Sequence, residues 1–189
     1  MLPNITYTPL SELSINIGPI RSGWMDIDVY DGTTNYSYVA SYTTDPLNDL
    51  LDVTICFLAG TAYTDRMGNK INNYYYVDHD QEPGLIYWVF DVEADTLRLT
   101  IWEDPPRALV EYWNTGCDKG SLEYYDLIAG NPILPQPLFA LQGNKKAFGF
   151  IMQEVFKTLD ARTEDKTSFD GWGYKYSIEN FALLVSLLR

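Results

Sequence analysis

The chain of 189 residues reads as one α+β domain: an antiparallel, twisted sheet of five to seven strands, with one inserted helix and C-terminal helices packed on one face. Three observations predict this class. Apolar–polar alternation recurs between residues 12 and 104, the signature of strands with one buried side. Short turns join those segments, and parallel strands would need long crossovers, so the pairing is antiparallel. Helical spacing of apolar residues occurs once inside this half and twice near the C-terminus. A hydrophobic fraction of 46% is that of a folded chain, and the length suits a single domain.

Each element follows from local sequence. Leu13, Ile15 and Ile17 alternate with polar residues and predict a first strand over Glu12–Ile17, closed by a Gly18-Pro19 break. From Trp24 to Tyr30, Met25, Ile27 and Val29 face one side, while Trp24, Asp26, Asp28 and Tyr30 face the other. Asp31-Gly32 is a two-residue hairpin signal that places a partner strand over Thr34–Ser41. Asp45-Pro46 opens a helix, Asp as N-cap and Pro at the first helical position. Its apolar face is Leu47, Leu50, Leu51, Thr54, Ile55 and Leu58, with Asp49 and Asp52 outward and Gly60 as terminator. Strands rich in Tyr, Trp, Val and Ile are predicted over Asn73–Val77, Leu85–Val92 and Asp95–Trp102. Their turns are Glu82-Pro83-Gly84 and Glu93-Ala94-Asp95, and Leu109–Trp113 adds a further strand.

The second half changes character. Residues 114–137 read as irregular, a helix covers Gly143–Leu159, and a last helix covers Ile178–Leu188. The Trp172-Gly173-Tyr174-Lys175-Tyr176 cluster reads as a plug between these two helices.

Charge is the most uneven property. The net charge is −13; residues 1–104 hold 16 acids and 4 bases, residues 105–189 hold 10 acids and 9 bases. A field of this sign repels nucleic-acid phosphates and steers basic proteins. It also keeps a protein soluble without any partner. No secretory leader or membrane-length apolar run is visible. Cys56 lies in an apolar segment and reads as buried filler; Cys117 lies in a polar turn. The two stand in no metal-like spacing. A reducing, cytoplasmic setting is the expectation.

Candidate chemistry is sparse. His79 is the single histidine and sits in Asp78-His79-Asp80. Neighbours on an extended strand point to opposite sides, so the stretch reads as a solvated hairpin end. Asp26 and Asp28 share a strand face, roughly 7 Å apart, flanked by Trp24 and Tyr30. Paired carboxylates suit glycoside chemistry or hard cations, but the same stripe suits a recognition surface. There is no P-loop and no nucleophile elbow, and Lys145-Lys146 is too small for a nucleic-acid patch. The partner-binding candidates are Trp24, Asp26, Asp28, Tyr30, Trp102 and Glu103; catalytic residues, metal ligands and cofactors are predicted absent.

Two stretches carry a resemblance. Ser22-Gly23-Trp24 opening a strand is followed by Ser41 and Asp45-Pro46-Leu47-Asn48-Asp49-Leu50-Leu51. Gly173-Tyr174-Lys175-Tyr176 is followed by Glu179-Asn180-Phe181 and a Leu-rich helix. This pattern resembles bacterial families similar to the immunity proteins of polymorphic toxin systems. The resemblance implies a cytoplasmic protein that blocks a cognate toxin by tight binding, and it transfers no functional residue. Two other readings stand beside it: a small hydrolase or cation-dependent enzyme using Asp26, Asp28 or Asp78-His79-Asp80, and an oligomeric structural protein with aromatic self-contacts.

Overall fold

A computed structural model describes residues 5–21, 23–41, 45–64, 70–71, 74–81, 84–105, 109–110, 136–163 and 177–189. The class is α+β, with helices packed against antiparallel-dominated sheets. The strands are β1 (Thr8–Pro9), β2 (Ser14–Arg21), β3 (Trp24–Tyr30), β4 (Asn35–Ser41), β5 (Tyr63–Thr64), β6 (Lys70–Ile71), β7 (Tyr74–Asp80), β8 (Leu85–Glu93), β9 (Thr96–Glu103) and β10 (Phe139–Asn144). The helices are α1 (Pro46–Ala59), α2 (Lys145–Thr163) and α3 (Ile178–Leu187). The strands divide between two main sheets rather than forming one. A five-stranded sheet has the order β1-β10-β9-β8-β7 and a three-stranded sheet the order β2-β3-β4, while β5 and β6 pair separately. Every pair is antiparallel except β1 with β10.

The inner faces of both sheets and one side of each helix share a single core. Phe57 of α1 lies near its centre, with ring contacts to Tyr75 of β7, Phe90 of β8 and Phe148 of α2. Its neighbours on the buried side of α1 are Leu47, Leu50, Leu51, Val53 and Thr54. Ile55 and Leu58, expected on that face, are only half-buried. The Asp45 side chain accepts from the Asn48 backbone N–H, and Gly60 closes the helix at φ 68°, a left-handed conformation that favours glycine. A Cβ on Gly149 of α2 would lie 2.8 Å from Leu188 and 3.0 Å from Leu58, so the missing side chain lets the three helices approach. Asp52 does not point freely outward: its Oδ1 accepts 2.6 Å from Asn180 Nδ2 of α3, and burial pushes its carboxyl above the usual range. No helix among the described residues is long and apolar enough to cross a membrane.

Several boundaries move for physical reasons. Leu10–Glu12 is a 3-10 turn, so β2 begins at Ser14, and it then runs through Gly18-Pro19. Its register with β3 shifts between Ile17 and Ile20, a bulge that accommodates a residue without a ladder N–H. The hairpin turn falls on Gly32-Thr33, one residue later than Asp31-Gly32. Asp31 N–H donates to Thr34 O at 3.2 Å, while its carboxylate accepts from Thr33 N at 2.9 Å, Thr33 Oγ1 at 2.9 Å and Thr34 N at 2.7 Å. Gly143 and Asn144, expected to begin a helix, instead end β10 beside β9, and α2 starts at Lys145 with Asn144 Oδ1 accepting from Lys146 N. Leu109 and Val110 are helical rather than the start of a strand, and 111–113 lie outside the described residues. So do Ser22, Glu82, Pro83, Cys117 and the 172–176 cluster.

Asp31 gives a pH-dependent test. Burial alone would raise its carboxyl, but the hydrogen bonds from Thr34 and Thr33 outweigh that and hold it below the ordinary value. A depressed native value stabilises fully above the unfolded value of about 3.9 and is lost as pH falls through the native one. Asp31→Ala is therefore expected to cost about 1 kcal/mol at neutral pH, as a lost cap does. Urea unfolding of both proteins should show the deficit shrinking below about pH 4.

Candidate functional site

The three-stranded sheet presents one covered face and one open face. Met25, Ile27 and Val29 of β3 are fully buried, while Trp24, Asp26 and Asp28 are half-buried and Tyr30 is 42% exposed. Period-two alternation on a central strand produces this division. Register adds the neighbours: Asn16 and Ser37 flank Asp28, Val39 lies opposite Asp26, and Ser14 and Asn35 flank Tyr30. Asn16 Nδ2 donates to Asp28 Oδ2 at 3.2 Å, and Tyr30 Oη donates to Gly32 O at 2.6 Å. Asp26 lies over the β2 bulge, where a Cβ on Gly18 would come 2.7 Å from the Asp26 Cβ. Gly18 thus leaves room for the Asp26 side chain.

The two carboxylates stand outside the ion pairs among the described residues. Those pairs are Arg98 with Asp91 and Glu93, Lys145 with Asp95, and Lys157 with Glu154; neither Asp26 nor Asp28 takes part in one.

Two predicted contact residues lie elsewhere. Trp102 is 3% exposed, and its indole N–H donates to Thr100 Oγ1 at 2.8 Å, so it is interior rather than surface. Arg98, Thr100 and Trp102 alternate with the buried Leu97, Leu99 and Ile101, yet Thr100 and Trp102 are buried too. Glu103 is exposed, yet its Oε1 accepts from Tyr36 Oη at 2.9 Å and Gln81 Nε2 at 3.2 Å where the two sheets meet. Burial, reinforced by Glu103, pushes the Tyr36 hydroxyl up to about 12. The structure therefore gathers Trp24, Asp26, Asp28 and Tyr30, and leaves Trp102 and Glu103 apart from them.

His79 is not at a solvated hairpin end. It is fully buried on the inner side of β7, while Asp78 and Asp80 alternate to the other side, so the three do not converge. Its Nδ1 lies 2.5 Å from Tyr38 Oη of β4, and Trp88 Nε1 of β8 donates to the same hydroxyl at 3.0 Å. Burial raises the Tyr38 hydroxyl well above the tyrosine range, so it keeps its proton. Among the described residues no three His, Cys, Asp or Glu side chains are grouped to hold a metal ion. Cys56 is half-buried rather than interior, and burial pushes its thiol up.

A shallow groove of about 480 Å³ lies at the β1 end of the larger sheet, lined in part by Thr8, Pro9, Asp95 and Gln142. Its charged side chain, Asp95, is paired with Lys145 at 3.5 Å.

Compared with protein-family models, curated proteins and solved structures, the chain matches none. Asn16, Ser37 and Val39 were not singled out from sequence. The β3–β4 pairing pattern could have found Ser37 and Val39, because each lies directly opposite an Asp.

Proposed function

We propose that the chain is a non-enzymatic binding domain whose open β2-β3-β4 face receives a basic protein. Its biological role would be that of an immunity-type inhibitor of a basic bacterial toxin, as the sequence resemblance implies. One observation carries the reading: Trp24, Asp26, Asp28 and Tyr30 stand in a row on a central strand, with both carboxylates outside any described ion pair. Aromatic groups supply contact area with a polar tip, and unpaired acids supply a field for cations. The excess of acids in residues 1–104 extends that field and opposes nucleic acid.

The test is charge reversal against a lysine- and arginine-rich peptide in a binding titration. Asp26→Lys with Asp28→Lys is expected to weaken binding by about tenfold or more, and raising the salt to do the same to the wild type. Glu93→Lys with Glu154→Lys, the same change of charge at exposed positions on β8 and α2, serves as the control and should change little. Equal losses from the two double variants would mean a diffuse acidic surface, not a site.

A further inference from the structure

We infer that His79 is an acid-sensitive lock between the two sheets: protonation of its imidazole removes the acceptor for the Tyr38 hydroxyl proton in the hydrogen bond that joins β4 to β7. This inference does not depend on the binding proposal. The donor logic of the junction carries it. An indole N–H can only donate, so Tyr38 Oη accepts from Trp88. The one proton of the buried Tyr38 hydroxyl finds its acceptor at His79 Nδ1, which assigns Nδ1 as the unprotonated nitrogen of a neutral ring. Adding a proton to Nδ1 turns that acceptor into a donor. Tyr38 Oη would then face two N–H donors, and its own proton would need a new acceptor in a place where Tyr38 is 5% exposed and His79 and Trp88 are fully buried. The rings stack as well: His79 lies 5.7 Å from Tyr38 and 6.0 Å from Trp88, so the imidazole has little room to turn away.

The neighbouring elements carry other ionisable groups. From β4 comes Tyr36, whose ring is 6.1 Å from Tyr38; from β9, Glu103, on the same sheet face beyond Ile86 and held by Tyr36 and Gln81. On β7 itself, Asp78 and Asp80 lie on the opposite side. From α1, which packs on β7, come Asp49, Asp52 and Cys56; Asp52 is engaged by Asn180. A facing carboxylate would favour the protonated ring, but Asp78 and Asp80 alternate away from it and Glu103 is engaged by Tyr36 and Gln81.

The chain has one histidine, so its titration can be read without ambiguity. The unfolded chain takes up the proton near pH 6.5, whereas the locked native state does not; stability must therefore fall as pH drops through that range. For a native state that excludes the proton, the folding constant should fall about tenfold between about pH 7.5 and about pH 5.5. Urea unfolding at both pH values measures it, on wild type and on His79→Asn, whose side-chain oxygen can still accept from Tyr38 but cannot titrate. The raised Asp52 carboxyl acts with the opposite sign, so the difference between the two proteins is the quantity to read. The inference predicts a pH effect that disappears in His79→Asn; the same slope in both proteins would overturn it. Should His79→Asn not fold, the single imidazole spin system of the native wild type decides the matter. A neutral ring with bare Nδ1 persisting below pH of about 6.5 supports the lock, and an ordinary titration in an intact fold overturns it.

Discussion

Phe57→Ala is expected to lower the free energy of unfolding by about 3–5 kcal/mol, the usual cost of emptying a buried phenylalanine site. The side chain is 1% exposed and touches rings on β7, β8 and α2, so no single neighbour can move in to fill the space. Phe90 and Phe148 also pack edge-to-face at 5.3 Å, which holds the far wall of the vacated volume in place. Denaturant unfolding measures the loss. A cost below about 1.5 kcal/mol would mean that α1 collapses onto the larger sheet, and that the aromatic cluster is softer than its geometry indicates.

Tyr38→Phe removes one oxygen and is expected to cost about 2–4 kcal/mol. Two buried polar atoms lose their partner at once, the Trp88 indole N–H and His79 Nδ1, and each such loss costs about 1–3 kcal/mol. The ring stays, so packing against Tyr36 and His79 is retained and the change isolates the hydroxyl. Tyr36→Phe is a natural comparison. Its hydroxyl bonds the exposed Glu103 carboxylate, which water can solvate, and the expected cost is about 1 kcal/mol or less. Equal costs for the two substitutions would show that the buried junction is not special.

The local signals in the sequence were strong where one side of an element meets water. Trp24–Tyr30 alternates without interruption, and β3 has those bounds, with the buried and open residues on the sides that alternation assigns. Asp45-Pro46 and Gly60 bracket α1 because caps act through nearest neighbours. What could not be read was long-range. Phe139–Asn144 has a short apolar alternation next to a helical pattern, and only β9 alongside it makes it a strand. Trp102 stands at an outward position of an alternating strand, but both sides of β9 are covered near its end, so alternation no longer tells surface from core. His79 sits between two aspartates that suggest solvent, and its burial depends on Tyr38, 41 residues away. The division into two sheets was hidden for the same reason: pairing between hairpins is set by packing, not by turns. The acidic–aromatic row was legible because it lies within one strand; its neighbours Asn16 and Gly18 come from a strand whose register shifts at a bulge.

The most direct test of the binding proposal is where a basic ligand lands. Backbone amide spectra of the ¹⁵N-labelled chain, titrated with the lysine- and arginine-rich peptide, report this residue by residue. The largest shifts are expected at Trp24, Asp26, Asp28 and Tyr30 and at their cross-strand neighbours Asn16, Ser37 and Val39. Shifts centred on Asp78 and Asp80 of β7, on the acids of α1, or spread evenly over all the acidic residues would contradict a binding face on β2-β3-β4.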